Sequence, residues 1–166
     1  DLLGGNIFWD GKFDDIPNTV AGASKALNKL NVWMFNVHAS AGIEVMRAAV
    51  ANKGNSLVLA VTVLTSLEGN NAHLIFGGPT KAKVLQFARD AKLAGCNGIV
   101  CSPQELLLLG KQKELDGLIK VTPGIRSENS PSDDQSRTMT VTEAVLAGAD
   151  YLVIGRPITS ADNPVD

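Results

Sequence analysis

Six short runs rich in apolar and β-branched residues recur along the chain, separated by stretches with helical spacing, and this alternation restricts the fold more than any other feature. The runs are residues 6–13 (NIFWDGKF), 32–37 (VWMFNV), 57–63 (LVLAVTV), 97–101 (NGIVC), 118–122 (LIKVT) and 150–155 (DYLVIG). Most are apolar on successive residues, as expected of strands covered on both faces in a parallel sheet. Between them, Val20, Ala23, Leu27 and Leu30 repeat at helical spacing, as do Val84, Phe87, Ala88, Ala91 and Ala94. Ser102, Pro103 and Glu105 supply the cap, first-turn proline and early acid of a helix start, which predicts a helix with Leu106 to Leu109 facing the core. Strand and helix joined by short links give an α/β fold with right-handed crossovers, in one domain over residues 1–166.

Six strands of this kind belong either to an open doubly wound sheet or to part of an eight-stranded β/α barrel. The polar residues separate the two. Asp10 with Lys12, His38, Thr65 with Ser66, Ser102, Thr122, and Gly155 with Arg156 all fall at or just beyond the ends of successive runs. Reactive groups spread over many strand ends fit the C-terminal face of a barrel, whereas an open sheet gathers them near one switch point. The expected fold is therefore a (β/α)8 TIM barrel, incomplete here, with about six of its eight strands.

Charge and composition narrow the function classes. A formal net charge of −2 and a pI near 5.7 provide no broad cationic field for nucleic acid or anionic membranes. Cys96 and Cys101 lie in or beside an apolar run with no second Cys/His pair nearby, so they read as buried free thiols and not as a disulfide framework or zinc site. No apolar run approaches the roughly 20 residues of a membrane helix, and no signal-peptide pattern opens the chain, which makes the cytoplasm the default compartment.

Asp10 and Lys12 alternate along the first strand, so both side chains point to one side, and Asp15 follows where the chain leaves it. Between Ile7, Phe8, Trp9 and Phe13 this strand is expected to be buried, and buried charges must pair. Two carboxylates around an ammonium keep the lysine protonated and make it a proton donor beside developing negative charge. A second constellation suits phosphate. Thr122, Pro123, Gly124, Ile125 and Arg126 lead into the polar stretch SENSPSDDQSR, long enough to be a closing lid. After the last run, Gly155 removes side-chain bulk and Arg156 offers a permanently charged donor fork, where β/α barrels often bind phosphate.

Other polar residues have plainer readings. His38 reads as a structural hydrogen-bonding residue and His73 as solvated in a polar loop. Ser66 and Ser102 lack a histidine and acid at triad spacing. Asp133 and Asp134 read as loop charges, and Trp33 and Met34 as core.

The segment DGKFDDIPNT (Asp10 to Thr19) resembles the signature of the orotidine 5′-monophosphate decarboxylase family. Further matches follow in order: NVHAS from Asn36, AVTVLTS from Ala60, GIVCS from Gly98, VTPGIR from Val121, DDQSR from Asp133 and DYLVIGRPIT from Asp150. The departures are small: Asp14 stands where many bacterial members have histidine, and Gly11 replaces a common leucine. The resemblance implies loss of CO2 from orotidine 5′-monophosphate to give uridine 5′-monophosphate, with no cofactor and no metal. It implies that Asp10 lies against the substrate carboxylate and Lys12 protonates carbon 6. Asp15 and Thr19 would reach the ribose in a neighbouring subunit's site, making the active unit a homodimer. Thr65 would bind the pyrimidine and Pro123 wall the departing carboxylate. Gln135, on the closing loop, would hold the phosphate with Gly155 and Arg156.

The family pattern also implies two βα units before the Asp10 strand, one ending in an aspartate and one in a lysine that completes a charged tetrad, and a helix after the last strand. This length of chain alone is therefore expected to be unstable, oligomeric or inactive. Two rival readings are a magnesium-dependent hexulose-phosphate synthase of the same superfamily and a non-enzymatic binding or assembly piece. The Ile16 to Thr19 segment and the Gln135 loop oppose the first, and the intact motifs oppose the second.

Overall fold

The computed structural model describes residues 6–67, 69–126 and 138–163, and all six runs form strands within them. In chain order the elements are β1 (Phe8–Phe13), α1 (Pro17–Lys29), β2 (Met34–His38), α2 (Ile43–Ala51), β3 (Leu57–Val61), α3 (Gly69–Phe76), α4 (Thr80–Ala94), β4 (Gly98–Val100), α5 (Leu106–Gly110), β5 (Ile119–Thr122), α6 (Val141–Leu146), β6 (Tyr151–Leu152) and α7 (Arg156–Thr159). The chain divides into two compact units, Asp1–Thr62 with Gln86–Ile99, and Val63–Leu85 with Val100–Asp166. Both α4 and β4 carry the chain across the division.

In the first unit, β1, β2 and β3 pair in chain order and run parallel. The β2–β3 ladder is continuous, from Met34 opposite Leu57 to His38 opposite Val61. Phe35, Val37, Val58, Leu59 and Ala60 are buried in it, and Met46 and Ala49 of α2 are buried as well. Each large apolar side chain removed from water contributes roughly 1.5–3 kcal/mol, so this ladder anchors the unit. Ahead of β4, the Asn97 backbone N–H donates to the Val58 carbonyl at 2.8 Å and its side-chain oxygen accepts from the Val58 N–H at 3.0 Å. In the second unit, β5 pairs parallel with β6, and Asp150 exchanges two hydrogen bonds with Lys120, at 3.0 and 2.7 Å.

Several expectations need correction. Strand β1 is not buried: Trp9 is 46% exposed and Ile7 is also exposed, because among the described residues β1 pairs with β2 alone. The residues of β6 are likewise exposed or only half-buried. In α1, Val20 and Leu27 are buried as expected, but Leu30 lies beyond the last helical turn and is exposed. Ser24 takes a core position instead, and its hydroxyl is satisfied by the Val20 carbonyl at 2.8 Å. The Ser102 to Glu105 start forms a reciprocal capping box, but only Leu106 and Leu109 of the leucine run are buried, while Leu107 is exposed. His73 lies on a helix, α3, and not in a loop.

Candidate active site

The charged cluster on β1 is built on an irregularity. Trp9 pairs with Phe35 and Phe13 with Val37, so the register shifts between them, and Lys12 sits at a positive φ of 45°. Lys12 Nζ lies 2.7 Å from Asp10 Oδ2, which brings together the two residues expected to carry the chemistry. Their side chains are 40% and 49% exposed, so solvent and a small molecule can reach them.

The neighbours of the pair come from β2. The Asn36 side chain, 1% exposed, donates through Nδ2 to Asp10 Oδ1 at 2.6 Å and accepts through Oδ1 from the Lys12 backbone N–H at 2.7 Å. Partial burial alone pushes the Asp10 carboxyl up, but hydrogen bonds from Lys12 and Asn36, with the nearby positive charge, outweigh it and hold the group below the usual carboxylate range. His38, half-buried at the end of β2, is held below the usual histidine range. Burial is the main cause; Asp14 and Asp10 oppose it and Lys12 adds to it. Sequence reasoning assigned no role to Asn36, although a lone amide in the apolar run VWMFNV was a signal.

The other expected residues follow later in the chain. Asp15 turns to the start of α1, where its carboxylate accepts from the Ile16 N–H at 2.6 Å, and Thr19 is exposed on the same helix. In the second unit, Thr65 is half-buried in the turn after β3 and Pro123 half-buried after β5. Gly155 precedes α7 and Arg156 is its first residue, exposed. An added Cβ on Gly155 would meet no atom within 4 Å, so packing does not demand glycine there. Gln135 lies outside the described residues. The two segments flanking 127–137 are joined, with the Arg126 N–H donating to the Met139 carbonyl at 3.0 Å.

Neither cysteine takes part. Both are free and buried, and burial pushes each thiol up to about 12, which keeps them unreactive at neutral pH. A cleft of about 640 Å³ opens at the opposite, N-terminal ends of β1 to β3. Its described lining includes Asn6, Asn28, Asn31 and Asn55, and none of the described lining residues is ionisable.

Residues 2–166 match the profile described as the orotidine 5′-phosphate decarboxylase / HUMPS family. The chain belongs to that family. It is 50% identical to an orotidine 5′-phosphate decarboxylase from Pseudoalteromonas translucida, over 98% of this chain and 72% of that protein. With the enzyme of the same name from Halorhodospira halophila it shares 45% identity, over 97% of this chain and 70% of the relative. Among solved structures, the orotidine 5′-phosphate decarboxylase of Lactobacillus acidophilus superimposes with a TM-score of 0.81 at 35% identity, covering 97% of this chain and 71% of that one. The fold is accordingly an incomplete TIM barrel, and the chain spans about seven-tenths of the length of these relatives. No helix among the described residues is long and apolar enough to cross a membrane.

Proposed function

We propose that this chain catalyses the decarboxylation of orotidine 5′-monophosphate to uridine 5′-monophosphate in pyrimidine biosynthesis, with the Asp10–Lys12 pair as its chemical centre. The observation that carries the reading is the 2.7 Å ion pair, solvent-accessible and fixed by a buried amide, in a member of the decarboxylase family. Asp10 lies against the substrate carboxylate, where like charges destabilise the ground state relative to the transition state. As the carbon–carbon bond breaks, its electron pair stays on carbon 6. The Lys12 ammonium donates a proton there, leaving a neutral amine that solvent reprotonates. No cofactor or metal is required by this sequence of steps.

Thr65 binds the pyrimidine ring and Pro123 walls the leaving carboxylate. Gln135, Gly155 and Arg156 take the phosphate, whose binding energy drives loop closure and expels water. The working unit is a cytoplasmic homodimer in which Asp15 and Thr19 of one protomer reach the ribose bound by the other. Their exposure at the start of α1 supports this.

The test follows orotidylate absorbance with EDTA present, using this chain alone and mixed with a polypeptide supplying the two further βα units implied by the family pattern. Stoichiometric uridine 5′-monophosphate and CO2 are expected. Turnover of a sugar phosphate that EDTA abolishes and magnesium restores would favour the synthase branch of the family instead.

A further inference from the structure

The register break in β1 has a definite size. Between the pairs Trp9–Phe35 and Phe13–Val37, three residues of β1 (Asp10, Gly11 and Lys12) stand opposite a single residue of β2, Asn36. Surplus residues in a ladder leave backbone groups without their strand partners, and here one of them, Lys12, also adopts a left-handed φ that residues with side chains rarely take. Such a conformation persists only where its surroundings hold it.

Asn36 supplies that hold. Its Oδ1 takes the Lys12 N–H and its Nδ2 reaches Asp10 Oδ1, both bonds under 3 Å and made from a buried position. Chemistry fixes the amide's orientation, because a backbone N–H can only donate and a carboxylate only accept, so exchanging its ends would lose both bonds. The short amide thus combines one donor and one acceptor at the break in the ladder. Aspartate would keep the acceptor but face Asp10 with a second carboxylate; leucine would keep the volume and neither bond.

We propose that Asn36 is a positioning residue for the decarboxylation, standing in for the interrupted ladder so that the Asp10 carboxylate and Lys12 ammonium are held side by side. This rests on the reading that Asp10 and Lys12 perform the reaction.

The experiment compares the parent chain with Asn36→Leu and Asn36→Asp by steady-state turnover of orotidine 5′-monophosphate, by 13C titration of the Asp10 carboxyl and by hydrogen exchange at the Lys12 amide. Both variants should lose kcat by about ten- to a hundredfold, the size expected for one hydrogen bond to a charged group, with KM within about twofold. The Asp10 titration should move upward in both, read against its other charged neighbours Lys12 and His38, with Asp14 beyond. Ser24→Ala, which removes a buried hydroxyl elsewhere in the unit, should leave kcat and the Asp10 titration unchanged. Folded Asn36 variants with parental kcat and an unmoved Asp10 titration would overturn the proposal. So would rapid exchange of the Lys12 amide in the parent, a measurement that needs no variant to fold. If the parent, mixed with the polypeptide that supplies the two further βα units, does not turn over orotidine 5′-monophosphate, the functional reading fails, while the titration and exchange still decide whether Asn36 organises the pair.

Discussion

On its β3 side, β2 pairs residue for residue from Met34 to His38, whereas on its β1 side the register breaks between Trp9 and Phe13. The regular ladder is buried and almost wholly apolar; the broken one is exposed and carries charge. An unbroken parallel ladder satisfies every backbone group and lets side chains alternate between faces, which suits packing. A bulge gives up that regularity and re-aims side chains, which suits a site. One strand thus serves a core on one side and chemistry on the other, with Asn36 and Leu59 directly paired in the middle.

If that division is real, the two ladders should fail differently. The largest effect belongs to the broken one: Lys12→Met should reduce kcat for orotidine 5′-monophosphate by about a hundred- to ten-thousandfold, the range of a lost general acid. Its unfolding midpoint should stay close to the parent's, because the exposed ion pair contributes little to stability. Leu59→Ala should do the converse. Removing this fully buried side chain should cost about 2–5 kcal/mol in urea unfolding, with kcat per folded molecule retained. Equal loss of both properties in either variant would erase the distinction between the ladders.

A smaller effect is expected at His38, the last residue of β2. Its folded-state pKa is depressed below the ordinary 6.5, so between the two values the unfolded chain binds more protons than the folded one. Its contribution to stability is therefore complete above pH 6.5 and declines as the pH falls through the depressed value. Urea midpoints measured from pH 7.5 down to 5 should drop more steeply in the parent than in His38→Gln. Parallel curves would mean that the end of β2 carries no pH-sensitive load.

The contrast also explains what the sequence could disclose. All six strands were legible because apolar runs signal burial directly, although the last run, 150–155, shortens to Tyr151–Leu152. The β/α class followed from their alternation, and the pairing of Asp10 with Lys12 from their spacing. The bulge was not legible: strict alternation predicts the same side for residues 10 and 12, and nothing local announces a shift set by the neighbouring strand. Asn36 escaped for the same reason, since its partners lie 24 and 26 residues upstream. The exposure of β1 depends on what lies across its edge, which its own composition does not encode. Helix α3 was missed because GNNAHLIF begins with three poor helix formers and is too short to repeat an apolar face.

The smallest expected effect tests where the broken ladder needs glycine. A Cβ on Gly11 would lie 2.5 Å from Trp9 Nε1 and 3.3 Å from Phe13 Cε1, so the indole occupies the space that a side chain at position 11 would take. Trp9 is on the exposed edge and can swing outward, which makes the collision inexpensive. Gly11→Leu, in a Trp33→Phe background so that one indole reports, should red-shift the emission as Trp9 moves into water. The accompanying change in stability should stay within about 0.5 kcal/mol, as for other surface substitutions. An unmoved emission with a loss above about 3 kcal/mol would place the demand for glycine in the bulge backbone itself. The Asn36 amide would then be holding a strained segment and not merely an unpaired one, and Gly11→Leu should also disturb the Lys12 amide exchange.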